Sequence, residues 1–405
     1  MMAAIKAARD GASVIILEKM NRPGRKLSIT GKGRCNLTNI APLSEFLEHT
    51  GPDPKFLRNA FSVFFTKELL DFMEVSGVKT VTERGGRVFP ESEQAKEIVD
   101  AFTHELNRLK VRIAVNNHVS RIVISNGSAN GVELKDRSFV QARKIILATG
   151  GSSYAGTGST GDGYRLAADA GHSVRKPIPA LVPFVTEGDV AEELQGLALK
   201  NVKASVYIEN KKAGDAFGEM LFAHFGLTGP IILTLSRQFG RDILDGKKAE
   251  ISIDLKPALD DQTLDKRLLR ELDEHGKMQV KSILRTLLPG SMVQVCCRLL
   301  ELDADKLGNQ VSSAERKKLR VWLKNFRFKI NGMRGFDEAI ITSGGISTKE
   351  IDPRTMESKL IKNLYFAGEV IDLDADTGGY NLQIAFSTGW VAGKACSAGL
   401  QEQHG

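Results

Sequence analysis

Three short apolar runs constrain this chain most, because each stops at a glycine-rich or acidic turn. They are SVIIL (13–17), which ends at Glu18, KIILATGG (144–151), and IKNLYFA (361–367), which runs into Gly368-Glu369. A strand buried on both faces reads as such a continuous apolar run, and that burial is the mark of a parallel sheet covered by helices. Around these runs lie helical stretches at 3–10, 54–76, 93–109 and 381–396, with short strands predicted at 111–115, 118–125 and 130–134. The alternation predicts an α/β domain.

The middle of the chain changes character. VKASVYIE (202–209) and AEISIDL (249–255) alternate as half-buried strands do, so the stretch from Ala180 to Leu255 reads as short strands with Gly breaks. Residues 258–324 are charged and helical in period, broken at Pro289 and Gly290, and 326–348 return to short strands. The predicted layout is an α/β domain built from both chain ends (1–180 and 350–405), a β insert (181–256 and 325–349), and a small helical insert within it (257–324). At 405 residues the chain is long enough for two or three domains.

Composition excludes other classes. Hydrophobic residues are 42% and charged residues 26%, ordinary values for a globular protein. No apolar run reaches the ~20 residues of a membrane helix, so no membrane partner is expected. Cys35, Cys296, Cys297 and Cys396 form neither a CxxC pair nor a secreted framework, which predicts reduced thiols and a cytoplasmic setting. Nothing in the sequence sets an oligomeric state. The net charge of +7 is concentrated. Residues 1–40 carry Lys6, Arg9, Lys19, Arg22, Arg25, Lys26, Lys32 and Arg34 against only Asp10 and Glu18, while residues 256–324 carry 14 basic against 10 acidic side chains. Solvated surface charge is the plain reading of such runs; phosphates of a cofactor or of RNA are the sharper one.

Five constellations carry candidate chemistry. Glu18 closes an apolar strand, where a dinucleotide-binding unit keeps its ribose-binding acid, although no GxGxxG turn precedes it. The run PGRKLSITGKGRCNLTN (23–39) crowds Gly24, Gly31 and Gly33 with Arg25, Lys26 and Arg34 and with the amide of Asn36, a composition suited to wrapping an anionic ligand. Thr149 and Gly150 open a Gly/Ser/Thr loop that enters a helix near Gly163, and helix N-termini attract anions. Gly368 and Glu369 precede a second such start at Gly378-Gly379. Asp372, Asp374 and Asp376 suggest calcium, but Thr377 and Gln383 stand where the loop needs Gly and Glu, so no metal is predicted. AHFGLTGP (223–230) and TSGGIS (342–347) read as polar Gly loops of the β insert, with His224 a candidate acid.

Together GRKLSITGKGRCNLTN, the ATGG strand end, TGDG, HFGLTGP, TSGGIS and FAGEVIDLDADTGGYNLQIAFSTG resemble the BaiN/RdsA family of bacterial flavoproteins across essentially the whole chain. TGDG and the closing Gly-Gly helix also resemble flavoproteins of the fumarate-reductase type. The resemblance implies an FAD-dependent oxidoreductase in which a Rossmann-like FAD-binding domain, built from both chain ends, carries an inserted β-barrel-like domain and a small helical domain, with NAD(P)H a candidate reductant. It implies that Glu18, with Lys19 beside it, binds the adenosine ribose, and that Arg25, Lys26 and the stretch Gly31, Gly33, Arg34, Cys35 and Asn36 line flavin and pyrophosphate. Glu369 is then expected at the ribityl chain, and Gly379, Tyr380, Asn381 and Leu382 near the ring. Family activities include reduction of uridine in ribosomal RNA, of conjugated bonds in bile-acid intermediates, and oxidation of small amines. The basic N-terminal loop and the helical insert point to ribosomal RNA as partner, a small molecule being the alternative. A cofactor-less RNA-binding protein is a further reading. Reduction of a C=C bond needs a placed acid, and Cys35 and His224 are the candidates. Two departures stand out: Lys32 replaces a frequent Gly, and Met1–Ile5 matches the inside of a helix that in the family follows a strand and Gly turn. That match implies a late-annotated start, about ten to fifteen residues short if one strand and its turn lie upstream, and weak FAD binding by the chain as written.

Overall fold

A computed structural model describes residues 1–398. The described residues form two compact units, Met1–Pro179 with those from Phe336 to residue 398, and Ala180–Gly335.

In the first unit the opening helix spans Met2–Arg9 and ends at Gly11, whose φ of +92° lets its N–H reach back to the carbonyl of Ala8. The strand Ile15–Leu17 then runs parallel to Arg112–Ala114, and Ile145–Leu147 runs parallel to Leu364–Phe366. Helices flank both pairs, as parallel connections require. The closing helix, Tyr380–Ser397, lies against the opening helix at backbone distance. A Cβ on Gly393 would sit 2.3 Å from the carbonyl oxygen of Ala3. The opening helix meets it with small side chains, Ala3, Ala4 and Ala7, all buried. The expected helix over 54–76 is broken into a 3-10 turn and helices Leu57–Val63 and Thr66–Val75, and strand Thr38–Asn39 pairs with Arg87–Pro90. TSGGIS is a strand, Ile341–Ile346, hydrogen-bonded to Val174–Ala180, so it belongs to the first unit's frame and not to a loop of the β insert.

An ion cluster ties the opening helix to the helix Ala95–Arg108. Glu105 accepts from Arg9 Nη2 at 2.6 Å and from Arg108 Nε at 2.7 Å. The Arg108 and Arg9 hydrogen bonds outweigh burial and lower the Glu105 carboxyl from 4.5 to about 2. A depressed carboxyl stabilises the fold above its unfolded value and loses that contribution as pH falls through the folded one. Stability is therefore expected to drop by about 2 kcal/mol between pH 4.5 and 2 for this group. Urea melts of wild type and Glu105→Gln across that window check it: the two curves should converge at the acid end, and parallel curves would refute it.

The second unit is a closed antiparallel barrel in the order Phe184–Thr186, Gly226–Thr228, Lys211–Ala223, Ala198–Ile208, Ala249–Asp254, Phe326–Met333. Val202, Ala204 and Val206 point inward with Ile251, Ile253, Phe326 and Phe328, as period-two alternation demands. Four helices, Asp261–Glu274, Val280–Leu284, Gly290–Leu300 and Ser313–Lys324, intervene before the last strand. One element differs from expectation. Pro230–Leu244 is a 15-residue helix in a stretch read as strands. Pro230 follows Gly229 at φ +96°, a favoured helix start, and Ile231, Ile232, Leu235 and Ile243 bury one stripe. The β-branched pair at its start mimics a strand until that period is counted over the whole segment.

Candidate functional site

The site grows from the carboxyl ends of the two parallel strand pairs. Glu18 follows Ile15–Leu17, half-buried, and one carboxylate oxygen accepts the N–H of Met20 at 2.8 Å. The amino end of the opening helix lies close enough for Glu18 to act electrostatically on Met1. A helix N-terminus beside a strand-end acid suits a nucleotide, since helix amides donate to phosphate and a carboxylate accepts from a ribose hydroxyl.

The basic loop after Glu18 is stitched to the Gly loop after Ile145–Leu147. Lys19 Nζ lies 2.5 Å from Asp162 Oδ2 and also bonds Thr160. Arg25 donates to Asn21 Oδ1 at 3.0 Å and to the Gly156 carbonyl at 3.1 Å. Lys26 Nζ reaches Ser153 Oγ at 2.8 Å and Glu369 Oε2 at 2.5 Å. Glu369 is the hub: it accepts also from the N–H groups of Thr342 at 2.8 Å and Gly151 at 3.2 Å. Glycine is required at Gly151, where a Cβ would lie 2.5 Å from Thr342 Oγ1 and 2.9 Å from the Glu369 carboxyl carbon. Ala148 and Thr149, just past a core strand, are exposed, so the strand end is open to solvent and is the candidate cleft. Glu18, Lys19, Arg25, Lys26, Thr149, Gly150, Gly368 and Glu369 thus share one region of the first unit.

The other predicted residues form a frame. The Asn36 amide donates to the carbonyls of Val88 and Thr38 and accepts the Gly379 N–H at 3.0 Å, which holds the start of the closing helix. Asn381 clamps the preceding turn, accepting from Ala375 N at 2.9 Å and donating to Ala375 O at 2.8 Å. Tyr380 is buried edge-on to Phe46 and stacked on His49 at 4.6 Å. Leu382 packs on the hydrophobic cluster that contains Cys35 and Phe64. Gly31 (φ +57°) and Gly33 (φ +86°) turn the loop, with open space around Gly33.

Several side chains go where sequence reasoning did not send them. Arg34 spends its charge on Glu83 and on Glu93 at 2.7 Å, over the ring of Phe89. The Glu83 hydrogen bond raises its guanidinium further. Cys35 has no accessible surface, so it lines no cleft, and burial pushes its thiol up to about 12. His224, by contrast, lies in the second unit as expected, in the turn between two barrel strands, edge-on to Phe225. Asp374 is no loop residue: it is buried in the strand Asp374–Ala375, paired with Thr50–Gly51. Residues not anticipated are Ser153 and Thr342 at the hub, Gln383, which accepts from the Thr38 hydroxyl at 2.6 Å, and a His49–Asp376 pair at 3.0 Å. Only the polar composition of TSGGIS and LTN hinted at them.

The residues present fit FAD. A strand-end carboxylate, a cationic loop, two Gly turns at strand ends and exposed backbone at Ala148-Thr149 supply ribose, phosphate and close-approach contacts. The fold and this cleft define the class: a Rossmann-type, FAD-dependent oxidoreductase. The chain belongs to the HI0933-like protein Rossmann domain family, which matches residues 1–395. It is 32% identical over 400 residues to the 3-dehydro-bile acid delta(4,6)-reductase of Clostridium scindens, covering 98% of this chain and 96% of that one. It is 30% identical over 392 residues to the ribosomal RNA dihydrouridine synthase of Escherichia coli, covering 96% and 94%. Among solved structures it shares the fold of a 3-ketosteroid-delta4-(5alpha)-dehydrogenase from Rhodococcus jostii, with a TM-score of 0.51, 16% identity and coverage of 98% and 94%.

Glu18→Ala is expected to weaken FAD binding about 10- to 150-fold, since a hydrogen bond to a charged group is worth roughly 1.5–3 kcal/mol. Fluorescence titration of FAD into both proteins tests it, and equal affinities would remove Glu18 from the site.

Proposed function

We propose that the chain reduces an activated C=C bond, and that its substrate is uridine within ribosomal RNA. Bound FAD supplies the hydride, and NAD(P)H is the proposed reductant. The chain's own residues supply position. Glu18 takes a ribose hydroxyl. Lys26 and Glu369 fix the two loops that flank the cleft, and Arg25 holds the outer loop to Gly156.

The observation that carries the RNA reading is the unpaired charge on the basic N-terminal loop. Arg22 and Lys32 are exposed and make no ion pair among the described residues, and Tyr154, 37% exposed, rises from the facing loop. Unpaired cations attract phosphates, and an exposed ring stacks on a base. A uridine reaches a cleft only when unstacked from its neighbours, so a rim that grips backbone and base serves that step. The dihydrouridine synthase relatives support this choice, while the bile-acid reductase relative keeps a steroid-like enone as the competing substrate.

The test offers FAD-loaded protein and NADPH either unmodified ribosomal RNA or a conjugated 3-oxo steroid. Nucleoside mass spectrometry should find uridine that has gained one molecule of hydrogen. Turnover of the steroid with no dihydrouridine formed would overturn the RNA assignment.

A further inference from the structure

The second unit carries a feature that the flavin cleft does not explain. Four barrel strands, Lys211–Ala223, Ala198–Ile208, Ala249–Asp254 and Phe326–Met333, lie side by side, and their outward residues form cross-strand rows. One row sets Phe217 beside Lys203 and Asp254. The next sets Asp215, Ser205, Ser252 and Arg327, and the third Lys212, Tyr207, Glu250 and Lys329. An open groove of about 430 Å³ runs over this face.

Two aromatic rings stand on it. Phe217 is 64% exposed in the middle of a strand, where an outward apolar ring stabilises nothing in the fold. Tyr207 lies under the guanidinium of Arg327 at 4.7 Å. The charges around them do not balance locally. Lys203, at 3.0 Å, and Lys212 share the single carboxylate of Asp215, while Asp261, also in the groove lining, is paired with Arg320 at 3.4 Å, so the excess among these pairs is a single positive charge. Arg327 is matched by Glu250, Lys329 by Glu187, and Lys324 by Asp254, with Lys324 also bonded to the carbonyls of Lys256 and Leu259. Ser205, Ser252 and Asn325 add hydroxyl and amide groups.

We propose that this outer barrel face binds single-stranded RNA, with Phe217 stacking an unpaired base and Lys203 and Lys212 holding its phosphates. Sheet faces that combine exposed rings with backbone-tracking cations are the common design for single strands, since every base offers a π-face. A duplex offers no free base to Phe217. The proposal rests on the RNA reading above and adds where the strand is held.

Fluorescence anisotropy of the full chain with a labelled, unmodified RNA of about 12 nucleotides, within the span of one such fold, tests it. Phe217→Ala should weaken binding about 5- to 150-fold, the loss of one stacked base. Phe217→Trp should keep wild-type affinity, and its added fluorescence should be quenched by RNA. Lys203→Gln with Lys212→Gln should flatten the slope of log Kd against log salt by about 0.7 for each phosphate that is no longer neutralised. Wild-type affinity and slope in all these variants, or no binding by the wild type, overturn the proposal. So does a concentration-dependent dimer that Phe217→Ala dissolves, because a second copy would then cover the face. RNA affinity that survives in a chain unable to reduce uridine supports this face and counts only against the proposed reaction.

Discussion

Gly379→Ala is expected to destabilise the first unit by roughly 3–5 kcal/mol, with a fall in Tm on the order of 10 °C. The added Cβ would lie 2.2 Å from the carbonyl oxygen of Thr38 and 2.3 Å from its carbonyl carbon, at a backbone φ of +99°. Thr38 cannot retreat. It is paired to Val88 in a sheet, and its hydroxyl bonds Gln383 Oε1 at 2.6 Å. Asn36 bridges the same two segments. Gly33→Ala is the control: its φ of +86° carries similar strain, but nothing lies within 4 Å of the new Cβ, so about 1 kcal/mol is expected. Thermal melts of the two variants decide the matter. If Gly379→Ala melts with Gly33→Ala, the close approach to Thr38 is not what requires glycine.

Glu369→Ala should cost about 3–5 kcal/mol, the range for breaking a partly buried ion pair and its hydrogen bonds. The change strands the Lys26 ammonium and leaves the N–H groups of Gly151 and Thr342 without their acceptor. Unmade bonds of that kind cost about 1–3 kcal/mol each. Lys26→Ala should cost less, because the carboxylate keeps its two backbone donors. Urea melts of the two single variants and the double variant give the coupling, expected at about 1 kcal/mol or more. Additive effects would show that Lys26 and Glu369 act separately. FAD affinity should fall in Glu369→Ala as well, since the hub sets the spacing of the loops beside the cleft.

The strands SVIIL and KIILATGG, the closing helix and the alternating barrel strands were legible because each declares itself over a short window. A buried strand needs only a continuous apolar run, and a half-buried strand only alternation. Pro230–Leu244 escapes a local reading for the same reason: its first residues look like a strand, and only the whole segment shows the helical stripe. The candidate cleft was legible in part. Glu18, Lys26 and Glu369 stand next to strand ends or Gly turns, and such positions are visible in a sequence.

Where each side chain spends its charge was not visible. Arg34 sits in the same loop as Lys26, yet it turns to Glu83 and Glu93 while Lys26 turns to Glu369. Those partners are distant in sequence, and nothing local distinguishes the two cations. Cys35 lies between charged and polar residues in sequence, but the left-handed backbone at that position turns it into an apolar cluster. Asp374 looks like a loop acid until its strand finds Thr50–Gly51. By itself, then, the sequence determined the α/β class, the inserted β strands and the strand ends that are candidates for a dinucleotide, because these follow from local periodicity and backbone freedom, and its motifs determined the family. Only the tertiary structure decided that Glu369 joins the two loops, that Asn36 and Thr38 lock Gly379, and that Phe217 stands exposed on a sheet face lined by ion pairs, because ion pairs, close backbone approaches and cross-strand rows join residues that only the folded chain brings together.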